Sequence, residues 1–208
     1  MFFYRIPKII TWIYPDYVWN MDRNDPKIYL TFDDGPVPEV TDYVLDQLLQ
    51  YKMKATFFMV GDNIHKHPDL ARQVVSADHG IGNHTYNHLK GSASSLSDYL
   101  INTQKCQETI QSILNISTKL FRPPYGSMTM AQKKEMMHQY KIIFWDLLSG
   151  DYKTKGSPKK SLYQLKEKTK NGSIILFHDQ LKTHSFLKAV LPEYLKFIDG
   201  EGYQTAVL

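Results

Sequence analysis

The sequence predicts an α/β domain built around a mostly parallel sheet. Seven β-like runs alternate with segments whose apolar residues recur at helical spacing. The polar residues able to do chemistry fall just after the ends of five of those runs. Parallel sheets assemble their sites at the carboxyl ends of strands, so this second observation predicts an active site together with the fold.

The β-like runs lie at residues 28–32, 55–60, 80–82, 119–121, 142–145, 173–177 and 203–207. The first, Tyr29-Leu30-Thr31-Phe32, suits a half-buried strand and is stopped by Asp33-Asp34-Gly35-Pro36. Val40, Val44, Leu45, Leu48 and Leu49 then form one helical stripe. A second holds Leu70, Val74 and Val75 and is opened by Pro68, since proline suits a first helical turn. The longest helix is marked by Leu96, Leu100, Thr103, Ile110, Ile113 and Leu114, with Ser95 or Ser94 as its cap. Residues 130–140, 162–170 and 186–198 complete the helices, and the polar stretch 149–160 is expected as a solvated connection or a lid.

With 208 residues the chain can bury one full core. Hydrophobic content of 42% and charged content of 22% are ordinary for a globular protein. The net charge of +4 is dispersed, with no basic stripe interleaved with aromatics, so nucleic acid is not an expected partner. Cys106 is the one cysteine and shares a helical stripe with Ile110 and Ile113, which makes it a small core residue.

Residues 1–26 are expected as an aromatic and apolar extension packed on the outside or bottom of a catalytic domain at 27–208. Its apolar run from Ile9 to Tyr14 is too short to span a bilayer, and no small-residue cleavage site follows it. The chain is therefore expected in the cytoplasm or at a membrane surface. Trp12, Tyr14 and Trp19 offer a weak interfacial contact there. The sequence carries no signal of oligomeric state.

His84 and His88 are four residues apart, a spacing that places two imidazoles on one face of a helical turn, close enough to share a metal. With a carboxylate from Asp33-Asp34 they make a three-ligand set that leaves a position open for water. Arg122 precedes Pro123-Pro124 and is aimed by a rigid backbone, suited to pairing with a carboxylate. The next free backbone N–H is that of Tyr125, placed to stabilise an oxyanion. His178 ends a buried strand running to the same edge, as a general acid or base would. Asp146 and Asp151 follow the fifth run and are expected at that edge too.

Read in order, Thr31-Phe32-Asp33-Asp34-Gly35-Pro36, His84-Thr85-x-x-His88, Arg122-Pro123-Pro124-Tyr125-Gly126, the segment Trp145 to Asp151 and Leu176-x-His178 resemble the polysaccharide deacetylase family over residues 27–208. The resemblance implies an incomplete, distorted (β/α) barrel of about seven parallel strands with its active site at their carboxyl ends. It implies removal of N-acetyl, or O-acetyl, groups from N-acetylglucosamine-containing glycans, with such a glycan or oligosaccharide as partner. One divalent metal ion is implied, zinc first and cobalt or nickel as alternatives, held by Asp34, His84 and His88. Asp33 would be the base, Arg122 would hold it, and Tyr125 would complete an oxyanion hole. His178 would protonate the leaving amine, oriented by Asp151, and Trp145 and Leu176 would line the acetyl pocket. The chain departs from the family pattern at Tyr152, where Trp is common, and at Leu148, where Asp is frequent. Two further readings stand beside this one: a related amidase acting on a non-sugar C–N bond, and a silent glycan-binding module.

Overall fold

Seven parallel strands run in the order β5-β4-β3-β2-β1-β7-β6 in this computed structural model, which describes residues 4–153 and 156–208. Residues 1–3 of the extension and 154–155 of the 149–160 connection lie outside the described residues. The strands are β1 Lys27–Asp33, β2 Ala55–Met59, β3 Gly80–Asn83, β4 Leu120–Phe121, β5 Lys141–Ile142, β6 Leu147–Leu148 and β7 Ile174–His178. A short β8, Gln204–Thr205, pairs only with the start of β1. The path curls into an incomplete barrel with helices outside it.

Between Lys27 and Asp33 β1 is apolar or hydroxylated, as is all of β2, and both sit buried at the centre of the path, as strands covered on both faces must. Phe32, Phe57 and Phe177 stack across β1, β2 and β7 with ring centroids 5.2 and 5.6 Å apart. Outside lie α2 Thr41–Gln50, α3 Gly61–Lys66, α4 Pro68–Ser76, α5 Leu96–Leu114, α6 Met130–Met137, α7 Pro158–Lys168 and α8 His184–Gly200, following α1 Lys8–Ile13 near the start. The Ser95 hydroxyl caps α5 by accepting the Asp98 N–H at 3.1 Å, worth about 1 kcal/mol. Tyr99, Thr103, Cys106, Ile110 and Leu114 form its buried stripe. The Cys106 thiol lies against the Met59 carbonyl at 3.7 Å, and burial pushes its pKa up to about 12.

Of the expected strand at 142–145 only Ile142 lies in a strand, β5, and a separate β6 follows at Leu147–Leu148. Pairing with β4 ends at Ile142, the chain crosses the open side of the barrel, and Leu147 and Leu148 pair with β7. The expected run at 203–207 contributes only β8. Short apolar stretches give no periodicity by which to tell such cases apart. Helices α1 and α3, six residues each, were too short to show a stripe.

The N-terminal segment joins the two free edges of the sheet. Val18 donates to the Ile142 carbonyl and accepts from the Phe144 N–H, at 2.9 and 2.8 Å. At the other edge Ile6 donates to Asp146 at 3.1 Å and Leu148 donates to Tyr4 at 2.8 Å. Backbone groups that would face solvent at β5 and β6 are thereby paired. Of the three aromatics expected at the surface, Trp12 is 82% exposed, but Trp19 is only 8% exposed and donates its indole N–H to the Tyr14 carbonyl at 2.9 Å.

Candidate active site

Strand register brings the reactive residues together. Asp33 lies beside His178 in the β1–β7 pairing and beside Phe58 in the β1–β2 pairing. Asn83, at the end of β3, is level with Phe121, so His84 and Arg122 leave the sheet side by side. The chain then turns sharply. Asp34, Thr85, His88 and Tyr125 all have φ between 58° and 84°, a left-handed conformation that non-glycine residues adopt at a cost of about 1–3 kcal/mol each. Gly35 is needed next to this turn because the buried Asp179 carboxylate would lie 2.0 Å from any Cβ there. Asp179 accepts the Gly35 N–H at 3.1 Å and the Thr41 hydroxyl at 2.6 Å. Burial pushes the Asp179 pKa up to about 8, with the Asp34 charge adding to it against those hydrogen bonds.

His84 and His88 are indeed neighbours, with ring centroids 5.1 Å apart, but not through a helical turn. No helix covers them; left-handed Thr85 and His88 fold the loop back instead. The Asn83 side chain pins this loop, accepting the Thr85 N–H at 2.9 Å and donating to the Thr103 carbonyl at 3.0 Å. His84 Nδ1 lies 2.7 Å from the Arg122 carbonyl. A carbonyl only accepts, so Nδ1 carries the hydrogen and the Nε2 lone pair is left facing Asp34.

Asp34 Oδ1 is the focus of the cluster. His88 Nε2 lies 3.0 Å from it and His84 Nε2 3.5 Å, and ligand atoms of the three residues all fall within 4.8 Å of one another. Oδ1 is buried and has no hydrogen-bond partner, which is costly unless something else satisfies it. The Gln180 amide donates to Oδ2, and Asn63 donates to the Asp34 carbonyl at 2.7 Å. Burial would raise the Asp34 pKa, but His84 and His88, with His178 beyond them, hold the carboxyl well below its usual range. One carboxylate and two imidazoles, with an orphaned oxygen between them, fit a divalent cation.

Asp33 faces the same cavity from the other side. Its Oδ1 accepts from Arg122 Nη1 at 2.7 Å, while Oδ2 stands 3.8 Å from His84 Nε2. Arg122 is fully buried and spends its other donors on Thr31 Oγ1 and the carbonyls of Ile143 and Phe144, at 2.8, 3.2 and 2.9 Å. Its guanidinium lies over the Phe58 ring at 4.1 Å. Such a fork has one orientation, so Asp33 has one as well.

Across the cavity, Asp151 holds His178 twice, accepting Nδ1 at 2.8 Å and the backbone N–H at 2.6 Å. Burial disfavours the imidazolium of His178, but Asp151, followed by Asp34 and Asp33, outweighs it and pushes the pKa up to about 9. A cavity of about 300 Å³ contains Asp33, Asp34, His84, His88 and His178, and Tyr125, Trp145 and Leu176 line it. Leu148 and Tyr152 line it too.

Asp146 does not belong here. It sits at the amino-terminal side of β7, its N–H donating to Ile174 and its carboxylate taking Ser173 Oγ at 2.8 Å, Arg5 at 2.6 Å and Arg23 at 2.9 Å. The break between β5 and β6 carries it away from the site edge. Sequence reasoning missed Asn63, Asn83, Asp179 and Gln180. Asp179-Gln180 follows His178 directly, and that position after a reactive strand end was the available signal.

Comparison with known proteins places this geometry. The sequence model of polysaccharide deacetylases matches residues 20–142. A peptidoglycan-N-acetylglucosamine deacetylase of Bacillus cereus is 36% identical over 193 residues, covering 89% of this chain and 88% of that protein. The peptidoglycan-N-acetylmuramic acid deacetylase PdaC of Bacillus subtilis is 30% identical over 88% of this chain, which spans 38% of that longer protein. Among solved structures, the Bc1960 peptidoglycan N-acetylglucosamine deacetylase superposes with a TM-score of 0.89 at 28% identity, over 98% of this chain and 95% of that one.

Proposed function

The chain belongs to the polysaccharide deacetylase family, and from that membership we propose that it is a metal-dependent hydrolase removing N-acetyl groups from N-acetylglucosamine units of a glycan. The observation that carries the reading is the buried, unpartnered Asp34 Oδ1 between two imidazoles, with the Asp151–His178 pair across the same cavity. Asp34, His84 and His88 would hold the ion, zinc by the chemistry of this donor set. When bound, the ion lowers the pKa of water and polarises the acetamide carbonyl.

The protein's own residues supply the rest. Asp33 has one oxygen committed to Arg122, so its free Oδ2 takes the proton from the attacking water as the new C–O bond forms. The Tyr125 N–H donates to the oxyanion, and Trp145 and Leu176 enclose the acetyl methyl. As the C–N bond breaks, the electron pair stays on nitrogen and His178 Nε2 donates it a proton. Asp151 keeps that imidazole charged and oriented through Nδ1. The products are acetate and a free amino sugar, with atoms and charge balanced by the water consumed.

Acetate release from N-acetylglucosamine oligomers tests the reading, measured on chelated protein and after adding zinc, cobalt or nickel. Metal-dependent release is the expected result. A protein that binds the metal yet releases nothing from any acetylated aminosugar would overturn it in favour of a non-sugar amidase.

A further inference from the structure

A second cavity of about 430 Å³ opens beside the catalytic one. The two share Tyr125, Gly126 and Trp145 as a common wall. The far side of the second cavity is built by Tyr14 and Tyr17 of the N-terminal segment and by Met130 at the start of α6. From the reading above, we propose that this groove is a sugar subsite: it takes an uncharged pyranose ring of the same glycan, next to the unit being deacetylated.

The chemistry of the walls supports that occupant. Tyr14 stacks on Tyr17 with centroids 5.7 Å apart, Tyr17 on Phe144 at 4.5 Å, and Phe144 on Trp145 at 5.5 Å. A continuous aromatic face therefore leads from the N-terminal segment to the wall of the catalytic cavity. The faces of a pyranose ring carry axial C–H groups, which pack against such π-systems, while its hydroxyls stay in water at the groove's mouth. Tyr125 and Met130 are 67% and 69% exposed, so the groove is open along its length. Trp145 lines both cavities, so its ring is the wall between the catalytic pocket and the groove.

Charge narrows the ligand further. Every side chain lining the groove is uncharged. Lys133, 4.9 Å from the Tyr17 ring, is paired with Asp16 at 2.7 Å and does not line it. A ring bearing a lactyl carboxylate would be desolvated here with no cation to meet it. The subsite thus selects N-acetylglucosamine over an N-acetylmuramic acid unit.

The test is the affinity of N-acetylglucosamine dimer and tetramer, by calorimetry, for the wild-type protein and a Tyr14→Ala/Met130→Ala double variant. Both side chains are outside the metal cluster, and the Tyr14 carbonyl that holds Trp19 is kept. The wild type should bind the tetramer more tightly than the dimer, and the variant should lose about five- to tenfold on the tetramer alone. Met130→Trp, which adds a ring to the wall, should keep or strengthen tetramer binding and guards against a mere folding defect. Equal affinity of the wild type for both lengths, or equal losses on both in the double variant, would overturn the subsite. Length-dependent binding without acetate release would instead retain the groove and sink the deacetylase reading.

Discussion

Asp33 and Asp34 are neighbours with different partners because the chain turns left-handed at the second of them. On a regular strand their side chains would point to opposite faces; here Asp33 faces Arg122 and Asp34 faces the imidazoles, across one cavity. Asp33→Asn should keep metal content unchanged and cut kcat by about 10²–10⁴-fold, read by metal analysis beside acetate release; retained activity would remove Asp33 as the base. As the proposed acid, His178 must be protonated to act, and Asp151 is the main group pushing its pKa up to about 9 against burial. The rate should therefore fall as pH rises through about 9. In Asp151→Asn that alkaline limb should move to lower pH by about one to three units, and an unmoved limb in the kcat profile would exclude this pair as the acid. The residues that meet around this cavity were legible in the sequence because each follows a strand-like run. Their supports were not, since an Asn or Gln that orients a neighbour through one hydrogen bond leaves no periodic trace.

Among the elements, the turn after β1 leaves no room for a side chain at Gly35. Its backbone passes against a buried carboxylate from the end of β7, so the two strand ends are fixed to each other as well as paired. Gly35→Ala would drive a methyl group into Asp179 and should cost about 1–3 kcal/mol, seen as a fall of several degrees in Tm. Unchanged Tm would mean that the β1 and β7 ends move independently. The long helices and central strands could be read from sequence because their patterns repeat over many residues. The loop joining His84 to His88 could not: an i, i+4 spacing has the same arithmetic in a helix and in a turn closed by left-handed residues. The two imidazoles meet as expected although the local geometry is different.

For the molecule as a whole, the open side of the barrel is closed by the segment that precedes it. Asp146 is the tie, joining Arg5, Arg23 and Ser173 at the amino-terminal side of β7. Asp146→Asn should lower stability by about 1–3 kcal/mol while leaving kcat unchanged, since the carboxylate is remote from the catalytic cavity; a fall in kcat at full metal occupancy would return it to the site. None of this closure was visible in sequence, because pairing between distant short segments depends on topology that composition does not encode. It bears on how the protein is made. Val18 is synthesised long before Ile143, its partner across the gap. At about 5–20 residues per second, that interval is on the order of ten seconds. During it the aromatic segment emerges with no sheet edge to receive it, a natural client for chaperones at the ribosome.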